Sequence, residues 1–160
     1  MVVLGLFISA TLDNVTSLIP SNPSDYYYTF KIQCTSCRET HSNLVKISSS
    51  EISEIPNSRG KASFVWKCRY CQRENSVNIE EEASEYTLEI SPAAFCIISF
   101  ECRGCEVVEF YPDGEWSCKG SESGTPFHGI HLNDGEWYDY DEKSQNEVSI
   151  TNIKWEIKRT

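Results

Sequence analysis

Cys34-Thr35-Ser36-Cys37 and Cys68-Arg69-Tyr70-Cys71 repeat one Cys-x-x-Cys spacing, with 30 residues between them. A Cys-x-x-Cys turn lets two thiolates face a common point, and two such pairs supply the four sulfurs of a tetrahedral Zn²⁺ site. The intervening segment is longer than the commonest ribbon spacing, so it is expected to be structured. The spacing predicts one structural zinc ion with the ligands Cys34, Cys37, Cys68 and Cys71. Two disulfides or four unpaired cysteines are the alternatives.

Strand-like patterns precede both pairs. Tyr26 to Gln33 alternates apolar and polar residues with the period of a strand that buries one face, and Phe64 to Lys67 leads into the second pair. Further strands are predicted over residues 2–12 and 44–47 and around Val77 and Ile79. Paired strands are how a zinc ribbon brings distant cysteine pairs together, so a zinc-ribbon-like site is expected.

The second half resembles the first. Cys96 to Cys105 aligns with Tyr28 to Cys37 at a constant offset of 68 residues, and Gln145 to Ile150 resembles Glu74 to Ile79. Such an internal repeat predicts two small β lobes packed as one unit. The expected division is a zinc-binding lobe at 1–84 and an acidic lobe at 85–160 that lacks a full four-cysteine site.

The same alignment places Cys68 and Cys71 over Asp139 and Glu142. It predicts a degenerate second metal site, empty at rest, built from Cys102, Cys105, Asp139 and Glu142, with Cys118 as a further thiolate. The alternative is that these cysteines are ordinary thiols and that the acidic run is a solvated loop. Two sulfurs alone make a weak zinc site, so occupancy is expected only with excess metal.

Charge and composition restrict the function. The 160 residues carry a formal charge of −10, and residues 81–160 hold all of the excess carboxylates. This disfavours nucleic acid as a partner, although Lys61, Lys67, Arg69 and Arg73 form a local basic group. The apolar N-terminal run lacks a basic segment and is too short for a signal peptide or membrane span. A soluble cytoplasmic protein with eight reduced cysteines is therefore expected.

Several segments together resemble the eukaryotic CXXC-motif-containing zinc-binding protein family, long described as uncharacterised. The resemblance spans nearly the whole chain and is carried by the segments 10–16, 67–76, 100–104, 122–127 and 137–143. It implies an all-β, two-lobed intracellular protein with one zinc ion on Cys34, Cys37, Cys68 and Cys71. It implies no enzymatic activity, and it does not require cysteine at positions 105 and 118.

The sequence favours a non-catalytic protein-interaction module, monomeric, with another protein as its partner. Phosphate-binding loops, zinc-protease helices and nucleophile elbows are not found in it. His128 and His131 could offer two ligands, but without a nearby carboxylate they are more simply exposed. The expected partner surface is an apolar or aromatic groove between the two lobes that draws on Trp116, Trp137, Tyr138 and Tyr140, although most of these aromatics could be core.

Two other functions stay open. One is metal handling, in which thiolates of the acidic lobe accept Cu(I) or Zn²⁺ reversibly. The other is a thiol redox enzyme of methionine-R-sulfoxide-reductase type, because Arg69-Tyr70-Cys71 resembles the catalytic segment of those enzymes. That resemblance does not hold at the catalytic cysteine, since Cys71 is needed as a zinc ligand.

Overall fold

The computed structural model describes residues 2–55, 61–79 and 81–160 and folds these ranges into β-strands without a helix. Across them, no helix is long and apolar enough to span a membrane. The strands are β1 (Val2–Asp13), β2 (Val15–Pro20), β3 (Tyr28–Cys34), β4 (Val45–Ile47), β5 (Ser53–Glu54), β6 (Lys61–Ala62), β7 (Phe64–Lys67), β8 (Glu74–Asn78), β9 (Phe95–Arg103), β10 (Cys105–Tyr111), β11 (Trp116–Gly120), β12 (Pro126–Ile130), β13 (Trp137–Asp141) and β14 (Asn146–Arg159).

A six-stranded antiparallel sheet with the order β13-β14-β1-β9-β8-β7 forms the main layer. Strand β1 lies inside this sheet because its apolar side chains are buried along most of its length. It pairs with β14 on one side and with β9 on the other. The first strand of the chain therefore holds the C-terminal half together.

Smaller sheets complete the structure. One has the order β10-β3-β4, another has the order β12-β11-β2, and β5 pairs with β6. Strand β3 turns Tyr28, Phe30 and Ile32 into the core, as its alternation predicts. Its core face meets the other half of the chain, because the Phe30 ring lies 5.3 Å from that of Phe100 and 5.7 Å from that of Phe110.

The all-β fold class is confirmed, with the four cysteines grouped in the N-terminal half. The predicted opening strand corresponds to β1, and the run from Tyr26 to Gln33 largely to β3. The division at residue 84 stays a prediction. What the structure shows is that strands from both sides of that boundary share the main sheet and one hydrophobic core.

Candidate metal centre

The first cysteine pair lies in a tight turn at the end of β3. The backbone N–H of Cys34 donates to the Glu39 carbonyl at 2.9 Å, and the Arg38 N–H donates to the Cys34 carbonyl at 2.9 Å. Arg38 has a φ of 67°, in the left-handed region that residues other than glycine seldom adopt. This backbone reversal turns both thiols of the pair toward the same side.

The second pair repeats this geometry after β7. The Cys68 N–H donates to the Arg73 carbonyl at 2.8 Å, the Gln72 N–H donates to the Cys68 carbonyl at 2.8 Å, and Gln72 has a φ of 66°. Each turn therefore has the same two backbone hydrogen bonds. In each, the residue directly after the second cysteine has a left-handed backbone conformation. We call the two turns knuckle 1 (residues 34–39) and knuckle 2 (residues 68–73).

The knuckles bring all four thiols to one point. Their Sγ atoms lie within 4.8 Å of one another, with 3.7 Å from Cys34 to Cys71 and 3.6 Å from Cys37 to Cys68. Four thiolates around a tetrahedral zinc ion, at Zn–S distances of about 2.3 Å, lie about 3.8 Å apart. The cluster therefore fits zinc in donor type, number and spacing. Its sulfurs close the coordination shell, so bound zinc would hold the knuckles together.

Backbone N–H groups prepare two of these thiols for metal binding. Burial raises the pKa of the Cys34 thiol, but hydrogen bonds from the Cys37 and Ser36 N–H groups, together with those to the Asn75 and Cys71 side chains, outweigh it and bring that pKa to about 6. In knuckle 2 the pKa of Cys68 is also lowered, mainly by the hydrogen bond from the Cys71 N–H. Thiolate is the form that binds zinc, so each knuckle presents one thiol already biased toward it.

The pKa of the second cysteine of each knuckle is shifted in the opposite direction, upward. The Glu39 N–H lowers the pKa of Cys37, but burial and the neighbouring sulfurs together raise it to about 12. The pKa of Cys71 is also raised, although the Arg73 N–H acts to lower it, because burial and the sulfurs of Cys34 and Cys68 oppose the charged form. Four thiolates cannot share this space without a cation, and a divalent metal supplies that charge.

Contacts from elsewhere in the chain support knuckle 1. The Thr35 N–H donates to the Gly104 carbonyl at 3.0 Å, and Cys105 lies opposite Cys34 in the β3–β10 ladder. The buried Asn75 amide donates to the same Gly104 carbonyl at 2.9 Å. The corner between β9 and β10 thus fits against the cluster, and a segment of the C-terminal half positions a knuckle of the N-terminal half.

Basic residues near knuckle 2 have structural contacts. Arg73 donates to the Ser36 hydroxyl at 2.9 Å and so links the two knuckles, and the Arg69 guanidinium lies 5.3 Å from the centre of the Tyr70 ring. The Lys61 side chain, also part of the predicted basic group, lies outside the described part of the structure.

The predicted second metal site is wrong. Within residues 2–55, 61–79 and 81–160, only the four clustered cysteines form a group of three or more metal-ligating side chains. Cys102 lies on β9 opposite Val77, whereas Asp139 lies on β13, which is three strands away in the same sheet, a distance of about 14 Å. Cys102 and Cys105 instead lie next to knuckle 1, because β10 pairs with β3. No sequence pattern indicated that pairing.

The remaining cysteines are mostly buried. Cys102, Cys105 and Cys118 are each at most 3% exposed, and Cys96 is half-buried. The pKa of Cys105 is raised, chiefly because its thiol is hydrogen-bonded to Cys102, and burial raises the pKa of Cys118 to about 12. These two thiols stay neutral at physiological pH, which makes them poor nucleophiles.

Asp141 has a structural role that the sequence did not indicate. Its carboxylate accepts hydrogen bonds from the hydroxyls of Ser123 and Thr125 and from the N–H groups of Lys143 and Ser144. The Ser123 hydroxyl is the main cause of a pKa lowered to about 2. Asp141 therefore ties the turn before β12 to the turn after β13. Those turns overlap the segments 122–127 and 137–143, whose contact could not be read from their separate positions in the sequence.

Two of the three histidines make contacts other than metal ligation. The His41 ring packs against Trp66 with 5.0 Å between ring centres. His128 is exposed on β12, with its Nδ1 3.1 Å from the Ser117 hydroxyl, and His131 is exposed directly after that strand. In the described ranges, no metal-ligating group includes a histidine.

Comparison with known proteins gives consistent results. A model of the family described as "CXXC motif containing zinc binding protein, eukaryotic" matches residues 5–158. A UPF0587 protein of Schizosaccharomyces pombe is 46% identical over 97% of both chains, and a protein of Xenopus laevis named CXXC motif containing zinc binding protein is 36% identical over 96% of both. The crystal structure of C1orf123 superposes with a TM-score of 0.91 at 36% identity and covers 99% of both chains.

Proposed function

The chain belongs to the eukaryotic family of CXXC motif containing zinc binding proteins, and from this we propose that it is a non-catalytic, zinc-stabilised protein-interaction module. The prediction of one structural zinc ion is confirmed by the family and the four-cysteine cluster. We assign the ligands to Cys34, Cys37, Cys68 and Cys71. The observation that carries the proposal is the spacing of these four sulfurs, which leaves no coordination position open for a substrate.

The geometry gives little support to a thiol redox enzyme. Cys71, which the reductase-like segment would use as its catalytic cysteine, lies in the sulfur cluster at 3.7 Å from Cys34. A redox nucleophile needs an accessible thiol with a lowered pKa. Outside the cluster, Cys102, Cys105 and Cys118 are buried, and Cys96 is half-buried. The metal-handling alternative also loses support, because Cys102 and Cys105 do not meet the acidic residues of β13.

We further propose a cytoplasmic location and a monomeric protein whose partner is another protein. None of the eight cysteines forms a disulfide, a state that a reducing compartment maintains. Support for a protein partner comes from two aromatic side chains that stay exposed on the main sheet, Tyr138 and Tyr140.

A thiol titration of the purified protein, with and without a zinc chelator, tests the structural role of the metal. With zinc bound, only the half-buried Cys96 is expected to react at a measurable rate, and chelation should release the four cluster thiols. The matched control is Cys96→Ser, which should remove the reaction of the zinc-bound protein. A hyper-reactive thiol that remains in zinc-bound Cys96→Ser would contradict the non-catalytic role.

The interaction role is tested by affinity capture from a eukaryotic lysate followed by quantitative mass spectrometry. Wild-type protein is compared with Cys68→Ser, which removes a proposed zinc ligand, and with Cys96→Ser as control. We expect a defined set of proteins with wild type and Cys96→Ser and its loss with Cys68→Ser. Recovery of no protein above background by the wild type would contradict the proposal.

A further inference from the structure

Strand β13 lies at the outer edge of the six-stranded sheet. In the described part of the chain, β14 is its only hydrogen-bonded strand neighbour, and the register runs without a bulge from Trp137 opposite Ile150 to Asp141 opposite Asn146. Exposed edges are usually protected by charged side chains, above all lysine, or by proline, bulges or extreme shortness. β13 is five residues long, has neither proline nor lysine, and its one exposed charged side chain is the acidic Asp139. Its edge is therefore open to a further strand.

The free backbone groups of this edge can be identified. Hydrogen-bonded and free positions alternate along an antiparallel strand. The Tyr140 N–H donates to the Asp139 carboxylate at 2.7 Å, and we infer from this that it does not face β14. Tyr140 and, two residues earlier, Tyr138 thus direct their backbone groups away from β14. An incoming strand would bond to these two residues and would take the place of Asp139 at the Tyr140 N–H.

Two aromatic rings stand beside these backbone groups. Tyr138 and Tyr140 lie on one face of the sheet and are 64% and 49% exposed, whereas Trp116, from the same predicted aromatic set, is 1% exposed and belongs to the core. Exposed tyrosine faces attract lysine and arginine through cation–π contacts.

The charge around this edge has one dominant sign. Carboxylates lie on both faces and at both ends of the strand: Asp134, Glu136, Asp139, Glu142 and, opposite Tyr140 on β14, Glu147. Glu136 accepts a hydrogen bond from the Tyr138 hydroxyl at 3.1 Å. Lys143 is the only cationic residue between positions 133 and 147. An occupant of this edge is therefore expected to carry positive charge.

We propose that the outer edge of β13 binds a basic, extended segment of a partner protein, which adds to the six-stranded sheet as a further antiparallel or parallel strand. Main-chain hydrogen bonds to Tyr138 and Tyr140 supply the attachment, and lysine or arginine side chains meet the tyrosine rings and the surrounding carboxylates. This inference rests on the proposed interaction role and names the chemistry of the partner.

Fluorescence anisotropy with three labelled heptapeptides tests the proposal on the full-length, zinc-bound protein. The first peptide alternates lysine and valine, the second alternates glutamate and valine, and the third is the lysine peptide with N-methyl groups on alternate amides. We expect saturable binding of the first peptide alone. N-methylation should weaken it at least tenfold, because it removes strand hydrogen bonds while it keeps the charge.

Two matched charge-reversal variants locate the binding site. Glu136→Lys combined with Asp139→Lys changes the charge at the β13 edge, and Glu81→Lys combined with Glu82→Lys makes the same change at exposed positions elsewhere. We expect the first variant to weaken binding at least tenfold and the second to weaken it less than threefold. As a check independent of variants, the amide resonances of Tyr138 and Tyr140 should shift when the lysine peptide is added to the wild type.

Three results would overturn the inference: no binding of the lysine peptide, equal binding of its N-methylated form, or equal weakening by both variants. None of them bears on the thiol titration or the lysate capture described above. Loss of this docking site would therefore leave the interaction role intact, and failure of the interaction role would be seen in the capture experiment.

Discussion

At the scale of single residues, Asp141 shows how one carboxylate organises two distant turns. Its four hydrogen-bond donors come from the segments 123–125 and 143–144, and the ionised form is the acceptor that all four need. A carboxyl group whose pKa is lowered in the folded protein stabilises that protein at any pH above its ordinary value of 3.8. This contribution is lost as pH falls toward the folded value of about 2.

The first prediction follows from this dependence of stability on pH. We expect Asp141→Asn to lower the urea midpoint by a constant amount above about pH 4, and this difference from wild type to shrink as pH falls from about 4 to about 2. Asp134→Asn, at an exposed position, serves as the control and should show little difference at any pH. A deficit of Asp141→Asn that stays unchanged down to pH 2 would contradict the electrostatic role.

The second prediction concerns Gly104, which lies in the corner that supports knuckle 1. Its φ of +75° favours glycine, and an added Cβ would overlap the Asn75 amide. We expect Gly104→Ala to lower the free energy of unfolding by more than about 1 kcal/mol and to speed zinc release to a chelator. Gly129→Ala is the matched control, because Gly129 has a φ of +66° with open space around its Cβ position.

If Gly104→Ala and Gly129→Ala lose equal stability and release zinc at equal rates, the packing of the β9–β10 corner against knuckle 1 has no influence on the zinc site. Backbone strain alone would then explain both variants.

At the scale of elements, each knuckle is a local structure, and this is why the sequence predicts the cluster well. A Cys-x-x-Cys turn needs only its own residues to orient two thiols, and the strands before it are visible as alternation. The position of Cys102 and Cys105 was predicted wrongly because it depends on the pairing of β10 with β3, which joins residues about 70 positions apart. Side-chain alternation says which face of a strand is buried, but it does not identify the neighbouring strand.

The third prediction tests the left-handed residue that closes knuckle 2. Gln72 has a φ of 66°, so glycine should be accepted there and a β-branched residue should be strained. We expect Gln72→Gly to bind zinc as tightly as wild type, and Gln72→Val to lose roughly 1–2 kcal/mol of stability. Competition with a chromogenic chelator and urea unfolding give the two quantities. Equal behaviour of Gly and Val would show that this backbone reversal does not limit the site.

At the scale of the whole molecule, the two halves of the chain are interlocked. β1 pairs with β9 and β14, and β3 pairs with β10, so the zinc cluster is built against strands of the C-terminal half. The acidic excess lies in residues 81–160, and part of it surrounds the β13 edge. The zinc centre and the proposed docking edge lie toward opposite edges of one sheet, which separates the stabilising metal from the binding surface.

The fourth prediction follows from the interlocking. We expect removal of zinc to lower the hydrogen-exchange protection of β10 as well as that of β3, because the Cys34–Cys105 pairing ties them together. Protection of β13 and of its partner residues in β14 should fall less. Mass spectrometry of exchanged peptides from zinc-bound and chelator-treated protein measures all three regions. Loss of protection that spares β10 would contradict coupling between the halves.

The central claim is a single structural zinc ion on Cys34, Cys37, Cys68 and Cys71, and its most direct test is the metal content of protein purified without chelator. Plasma mass spectrometry should find about one zinc per chain in wild type and in the control Cys96→Ser, and less than about half that amount in Cys68→Ser. Less than about half an equivalent of zinc in the wild type, or a full equivalent held at unchanged affinity by Cys68→Ser, would contradict the account.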